Sequence, residues 1–76
     1  MIGKIIRFMR LKSGYKQEEL AGLVGVKQNS FSDYERGSST PSFETVVRIA
    51  DVCDFEIVII DKNSGEKITP DNLINL

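Results

Sequence analysis

The chain is short and nearly neutral: its 76 residues, 41% hydrophobic and 28% charged, sum to a net charge of −1, which is ordinary for one globular domain. A single cysteine excludes an internal disulfide, and without any histidine the usual zinc-ligand sets are missing, so we expect neither metal nor cofactor. No apolar run approaches the roughly 18 residues of a membrane span, and no signal peptide opens the sequence, so we expect a cytoplasmic protein without a membrane role.

Three helices are predicted in the first half of the chain from apolar residues at helical spacing. The first covers 2–12 and stops at Gly14, the second covers 17–24 and stops at Gly25, and the third covers 28–35. The side chains assigned to their inward faces are Ile2, Ile6, Met9, Leu20, Ala21, Val24, Phe31 and Tyr34. Polar side chains of the third helix, from Gln28 to Ser30 and at Asp33, are predicted to face outward.

The second half is predicted to hold one more helix and a β-hairpin. Ser42 caps a fourth amphipathic helix that ends near Cys53, and this lone cysteine is interpreted as a core residue. Residues 55–61 are too few and too β-branched for a helix, and they predict a strand with apolar side chains on both faces. A turn and a return strand over 67–69 complete the hairpin, and a last helical turn starts at Pro70.

Helices two and three, separated by a glycine turn, have the arrangement of a helix-turn-helix, whose second helix enters the major groove of DNA. Gln28 and Asn29 begin that helix with amides suited to pairing with adenine, and Lys27 can reach guanine or a phosphate. Without the surrounding motif, these side chains would be interpreted as polar surface. The motif therefore favours double-stranded DNA as the partner.

Charge is distributed unevenly along the chain. Residues 1–37 hold seven basic and four acidic side chains, a net charge of +3, whereas residues 38–76 hold three basic and seven acidic ones, a net charge of −4. The asymmetry fits a protein with one end facing DNA and the other meeting protein or solvent, although ordinary surface charge explains it equally well.

Over residues 2–54 the sequence resembles the Cro/CI-like (XRE) family of phage repressors and related bacterial regulators. The motifs that carry the resemblance are Gln17-Glu18-Glu19-Leu20-Ala21, Gly25-Val26, Gln28-Asn29-Ser30-Phe31-Ser32, Tyr34-Glu35-Arg36-Gly37 and Pro41-Ser42. They occur in order and at the right separations, which makes the match specific. The resemblance implies an all-α, lambda-repressor-like helix-turn-helix bundle of four to five helices, here with a short carboxy-terminal β-strand or hairpin, that binds operator DNA as a homodimer.

The resemblance also implies roles for individual side chains. Base reading falls to Lys27, Gln28, Asn29 and Asp33. Phosphate contacts fall to Gln17, Ser30, Arg36, Ser38, Ser39 and Thr40. Arg10 and Glu35 match an ion pair of the family that joins helix one to the end of the recognition helix. If buried, such a pair chiefly orients the helices, because desolvation offsets much of its attraction.

Two features depart from the family pattern. Asp33 is an acid where the family often has a neutral or basic reader, and it repels DNA unless it accepts a hydrogen bond from cytosine. After Asp54 the family commonly continues into a fifth helix, whereas residues 55–60 predict a strand here. Some antitoxins of the family look similar in having a carboxy-terminal strand that pairs with its mate across the dimer axis, which would satisfy a free strand edge.

We therefore expect a helix-turn-helix DNA-binding domain over residues 1–54 and a β-strand or hairpin extension over 55–76 that serves dimerisation. The side chains assigned to dimerisation are Phe55, Ile57, Val58, Ile59 and Ile60. A second apolar stripe on helix one, formed by Ile5, Phe8 and Leu11, lies outside the predicted core face. We expect the strand region to cover this stripe; the alternative is scattered apolar residues at the surface.

The predicted function is a sequence-specific transcriptional regulator, most simply a repressor, that occupies operator DNA as a homodimer through the helix over 28–35. An enzyme is not expected, because no histidine base accompanies the serines and acids, and no small-molecule substrate is expected either. One alternative is an antitoxin that binds a toxin and represses its own operon. Another is a protein-interaction adaptor that keeps the fold without reading DNA, which the net acidity and Asp33 favour.

Overall fold

The structure, a computed structural model that describes residues 1–73, consists of four α-helices, a β-hairpin and a 3-10 turn. The helices are α1 (Ile2–Ser13), α2 (Gln17–Val24), α3 (Gln28–Arg36) and α4 (Phe43–Val52). The strands are β1 (Ile59–Ile60) and β2 (Lys67–Ile68), and the 3-10 helix is Pro70–Leu73. The predicted helical bundle with a short carboxy-terminal β element is confirmed. Within residues 1–73, no helix is both long and apolar enough to cross a membrane.

Glycines and a serine set the helix boundaries. Gly14 ends α1 and Gly25 ends α2, both in the left-handed conformation with φ of 79° and 75°, which a side chain would oppose. At the start of α4, the Ser42 hydroxyl accepts a hydrogen bond from the Thr45 backbone N–H at 3.2 Å. This bond satisfies one of the free donors at the helix start, as the sequence predicted.

The core lies where the four helices meet. Phe31 of α3 is fully buried together with Ile6, Leu20 and Ile49, one from each of the other helices. The core cluster is completed by Met9, Ala21, Val24, Ala50 and Cys53. Helix α3 packs on both α1 and α2, and α4 packs on α1 and α2. Burial of Phe31 therefore determines which side of α3 faces the core and which side faces solvent.

The strand predicted over 55–61 is wrong in extent, because only Ile59 and Ile60 join the ladder. Ile59 pairs with Ile68 and Ile60 with Lys67 in an antiparallel register. Phe55 and Ile57 instead pack against the helical core, so the chain is still leaving the bundle where the sequence predicts the strand to begin. Both residues of β1 are exposed within the single chain. The predicted return strand and the final helical turn are confirmed.

Candidate nucleic-acid interface

Helices α2 and α3 form a helix-turn-helix through a three-residue turn. After Gly25, the Val26 N–H donates to the Ala21 carbonyl at 2.9 Å, while the Val26 side chain packs against the core. Lys27, at the N-cap of α3, is extended with φ of −65° and ψ of 144°, and it redirects the chain into the next helix. The turn therefore holds the first residue of α3 at the surface while Phe31, one turn later, is fixed in the core.

The amino-terminal end of α3 is exposed and polar. Gln28 and Asn29 are exposed, as the sequence predicted, and with the exposed Lys27 they form one continuous stretch of donors and acceptors. Ser30 is half-buried, as are Ser32 and Asp33 later in the helix, and Phe31 is the residue of α3 that is buried. An exposed helix end of this size and polarity fits the major groove, which is about 12 Å wide and admits one α-helix.

Ser32 is a candidate contact that the sequence analysis missed. On a helix, residues 29, 32, 33 and 36 share one face, so Ser32 lies between Asn29 and Arg36 on the side that carries the exposed polar groups. The side chain is half-buried. Its hydroxyl can donate or accept a hydrogen bond toward a base or a phosphate. The helical periodicity that assigned Phe31 inward was sufficient to assign Ser32 outward.

Asp33 and Arg36 are paired on this same face. The Arg36 guanidinium donates to the Asp33 carboxylate one turn earlier in α3, and both side chains keep much of their exposure, 64% and 40% respectively. The acid at position 33 is therefore accompanied by a cation rather than standing alone. Because a guanidinium has five N–H donors, Arg36 retains donors beyond the one that Asp33 engages.

The loop after α3 is tied to the same aspartate through its backbone. The Asp33 carbonyl accepts hydrogen bonds from the backbone N–H groups of Ser38, at 2.9 Å, and Ser39, at 3.4 Å. The side chains of Ser38, Ser39 and Thr40 remain exposed beside the carboxy-terminal end of α3. These three residues therefore lie next to Arg36, in a position compatible with the phosphate contacts assigned to them.

Beneath this face, Arg10 and Glu35 form a nearly buried ion pair between α1 and α3. The Arg10 Nε donates to Glu35 Oε2 at 2.6 Å and its Nη2 donates to Glu35 Oε1 at 3.0 Å, with side chains 12% and 2% exposed. Arg10 Nη1 also donates to the Tyr15 carbonyl at 3.1 Å. This bidentate pairing of a planar guanidinium with a carboxylate fixes the angle between α1 and α3 as well as their separation.

Gln17, assigned to a phosphate, also contacts Glu35. Its side-chain amide N–H donates to Glu35 Oε1 at 2.8 Å, which joins the start of α2 to the end of α3. Burial acts to raise the pKa of Glu35, but hydrogen bonds from Arg10 and Gln17 outweigh it and hold that pKa below its usual value. Glu35 in turn raises the pKa of Arg10. The carboxylate therefore stays ionised and holds three helices together at neutral pH.

The chemistry available on this surface is that of hydrogen bonds and charge. Among residues 1–73 there is no cluster of three His, Cys, Asp or Glu side chains that could hold a metal ion. Cys53 is buried in the core, as predicted. Amides, hydroxyls and cations along one exposed helix and its following loop are suited to hydrogen bonding with base edges and phosphates.

Comparison with known proteins agrees with this geometry. Residues 6–60 match the helix-turn-helix family. The chain is 38% identical, over 56 residues, to a protein of Pyrococcus horikoshii whose name places it among HTH-type transcriptional regulatory proteins. This match covers 74% of the chain but only 18% of that relative. The chain is also 38% identical over 50 residues to the cryptic phage CTXphi transcriptional repressor RstR of Vibrio cholerae, covering 66% of the chain and 45% of the repressor.

A solved structure shares the fold. The crystal structure of SinR, described as the master regulator for biofilm formation, in complex with DNA, superposes with a TM-score of 0.67 at 36% sequence identity. The superposition covers 72% of this chain and 89% of the SinR chain. The chain thus spans less than half the length of both sequence relatives described above but most of the SinR domain.

Proposed function

The chain belongs to the helix-turn-helix family of Cro/CI-like DNA-binding regulators, as its sequence predicted, and we propose that it binds operator DNA as a homodimeric transcriptional repressor. The family is one of DNA-binding regulators and not of enzymes. The observation that carries the proposal is the exposed polar end of α3, from Lys27 to Asn29, held on a bundle by the buried Phe31 and Glu35. Such a rigid, polar and exposed helix end is what reading a groove requires.

Base reading is proposed for four side chains of α3. Gln28 and Asn29 pair with adenine through their amides, and Lys27 donates to guanine or to a phosphate. Asp33 accepts a hydrogen bond from cytosine N4, or else it contacts no base and partly neutralises the charge of Arg36 beside it. Ser32 joins this group, since it lies on the same helical face.

Phosphate contacts are proposed on either side of that helix. Gln17 retains an amide N–H and a carbonyl beyond its bond to Glu35, so it can both brace the carboxylate and donate to DNA. The remaining side chains assigned to phosphates are Ser30, Arg36, Ser38, Ser39 and Thr40. Contacts of this kind carry affinity and register rather than sequence preference, and they make binding dependent on salt.

Dimerisation is proposed through the carboxy-terminal extension, 55–76, of which residues 74–76 lie outside the described part of the chain. Ile59 and Ile60 are more than half exposed, at 52% and 55%, which is unusual for adjacent residues of a strand. An isolated two-stranded hairpin is marginally stable, so pairing with a second chain would stabilise it. The proposed dimerisation side chains remain Phe55, Ile57, Val58, Ile59 and Ile60. Two copies related by a two-fold axis then place their α3 helices on half-sites about one DNA turn apart.

Selection from a random duplex library tests this function. The wild-type chain is expected to enrich a palindromic site, and Gln28→Ala to lose the preference at one base of each half-site. The matched control is Glu18→Ala, an exposed residue of α2 outside the proposed contacts, which should select the wild-type site. Failure of the wild-type chain to enrich any sequence would overturn the proposal and favour the protein-interaction adaptor.

A toxin partner is the second candidate, and the apolar side chains exposed on α1 favour a protein contact there. Ile5, Phe8 and Leu11 are 45%, 54% and 58% exposed. An antitoxin would bind its toxin through such a face and its operator through α3. Purification of the untagged chain from its own host tests this. A second protein that purifies with it in equimolar amount supports the antitoxin, whereas a homodimer alone supports the simple repressor.

A further inference from the structure

The solvent side of α1 presents an apolar stripe set between lysines. Ile5, Phe8 and Leu11 are each about half exposed. Lys4 and Lys12 lie one turn before and one turn after Phe8 on the same face, and both are exposed. Together these five residues are called the α1 face. Helix α1 contains no acid, so the two lysines make this face cationic as well as apolar.

The α1 face is already in contact with the root of the carboxy-terminal segment of its own chain. The rings of Phe8 and Phe55 meet edge to face with their centroids 5.9 Å apart. Even with this contact, Phe8 is 54% exposed. Phe55 therefore covers part of the Phe8 ring and leaves the rest open, so the strand region covers the stripe only in part.

The hairpin beyond that root, residues 56–68, is called the arm. Side chains of adjacent strand residues point to opposite faces, so the exposure of both Ile59 and Ile60 means that neither face of the arm is covered at this point. The register places Ile59 beside Ile68, which forms a small apolar surface on one face of the arm. The arm thus has apolar side chains to bury and, at the two residues of β1, no cover from the described part of its own chain.

The charge of this segment is opposite to that of α1. The arm, residues 56–68, carries three acids and two lysines, a net charge of −1. Glu56 at the base of the arm and Glu66 beside β2 are both exposed. Asp61 accepts hydrogen bonds from the backbone N–H groups of Asn63 and Ser64, which lower its pKa and keep it ionised. An apolar arm with an acidic rim complements the apolar, lysine-flanked α1 face.

Resting on the dimer proposed above, we propose that the arm of each chain packs the face that carries Ile59 and Ile68 on the α1 face of the other chain. Each copy has one arm and one α1 face, so a two-fold axis makes the contact twice and satisfies both copies. Opposite charges at the rim set the register, since Lys4 and Lys12 of one chain meet Glu56 and Glu66 of the other. The occupant of the α1 face is thus a second copy of this chain.

Charge reversal on separate chains tests the contact by sedimentation velocity. Lys4→Glu/Lys12→Glu makes the α1 face acidic, and Glu56→Lys/Glu66→Lys makes the arm basic. Each variant alone is expected to self-associate at least about tenfold more weakly than the wild type at low salt, because both reciprocal contacts then join like charges. Their equimolar mixture is expected to form a heterodimer of near wild-type strength, because both contacts then join opposite charges.

The control Glu18→Lys/Glu44→Lys changes net charge as much as the arm variant does, but on α2 and α4, and it should dimerise normally. A second measurement covers variants that fold poorly: on a Cys53→Ala background, chains carrying Phe8→Cys and Ile59→Cys should form a disulfide with each other when mixed. The proposed contact would be overturned if the equimolar mixture of the two charge variants stays monomeric, or if the mixed cysteine variants form no disulfide.

These results separate the contact from the function on which it rests. If the wild-type chain dimerises and enriches a palindromic site while the charge variants dimerise as strongly as the wild type, the proposed function stands and the arm contact is wrong. A wild-type chain that is monomeric at all concentrations tested rejects both the dimer and the contact. Enrichment of a single, non-palindromic half-site would then show that DNA binding itself survives.

Discussion

Gly3 of α1 lies directly against the backbone carbonyl oxygen of Tyr34 in α3. A Cβ atom at position 3 would overlap that oxygen, and it would come within 2.7 Å of the carbonyl oxygen of Glu35 as well. The first turn of α1 therefore rests on the last turn of the proposed recognition helix, with no side chain between them. This contact and the Arg10–Glu35 pair fix the same end of α3 from two directions.

Gly3→Ala should destabilise the protein, although alanine is normally the better helix former. The new methyl group forces the two backbones apart, because a carbonyl oxygen within a helix cannot turn aside. We expect a loss of about 1–3 kcal/mol in the free energy of unfolding, the usual cost of overpacking. Urea denaturation followed by circular dichroism measures this loss.

Gly22→Ala is the matched control for that substitution. Gly22 lies within α2, and a Cβ built there has no neighbour within 4 Å. Alanine should therefore stabilise the helix by roughly 0.5–1 kcal/mol. Equal effects of the two substitutions would contradict the close approach at Gly3.

Much of the helical bundle was predictable because its signals are local. Apolar spacing located the helices, and Gly14 and Gly25 marked two of their ends. The role of Gly3 was not predictable in this way, because a glycine in a first helical turn carries no mark of the distant carbonyl that it approaches. The Gln17–Glu35 bond was missed for the same reason, since it joins residues 18 positions apart.

The hairpin was only partly predictable, because a run of β-branched residues indicates strand propensity but not where pairing begins. Phe55 and Ile57 belong to that run, yet packing against the helices takes precedence over the ladder. The ladder is limited to the two residues of β1 that lie opposite Lys67 and Ile68. In the candidate site, position on the helix predicted the exposure of Gln28 and Asn29. The pairing of Asp33 with Arg36 was not predicted, although an acid and a base three residues apart on a helix are neighbours.

Gln28→Ala should weaken binding to the selected operator by about 1–3 kcal/mol per half-site and leave binding to random duplex nearly unchanged. The reason is that an amide contact to a base edge discriminates between sequences, whereas phosphate contacts do not. Fluorescence anisotropy with both duplexes gives the two affinities. Equal weakening on both would indicate that Gln28 contacts the backbone instead.

Asp33→Asn should strengthen binding to random duplex. The substitution removes a negative charge from the DNA-facing side of α3 and releases the Arg36 guanidinium that it now engages. We expect a gain of about 1 kcal/mol at low salt, together with a steeper dependence of affinity on salt concentration. Titrations at several salt concentrations measure both. Arg36→Gln should produce the opposite change, and loss of affinity in Asp33→Asn would instead assign Asp33 a direct role in base recognition.

Acid should weaken the fold by protonating Glu35. Because hydrogen bonds hold the folded-state pKa of Glu35 below its unfolded value, the contribution of Glu35 to stability is present in full above the unfolded pKa of about 4.3. That contribution is lost as pH falls through the folded pKa.

Glu35→Gln removes the charge at every pH and leaves Arg10 almost buried without its partner. We expect this variant to lose roughly 3 kcal/mol at neutral pH. Denaturant unfolding of both proteins should show the difference shrinking below about pH 4, as the wild-type carboxyl becomes protonated. The double variant Arg10→Met/Glu35→Met should recover most of the loss, because no unpaired charge remains in the interior. A difference between wild type and Glu35→Gln that stays constant across this pH range would mean that the shape of the side chain, rather than its charge, holds α1 against α3.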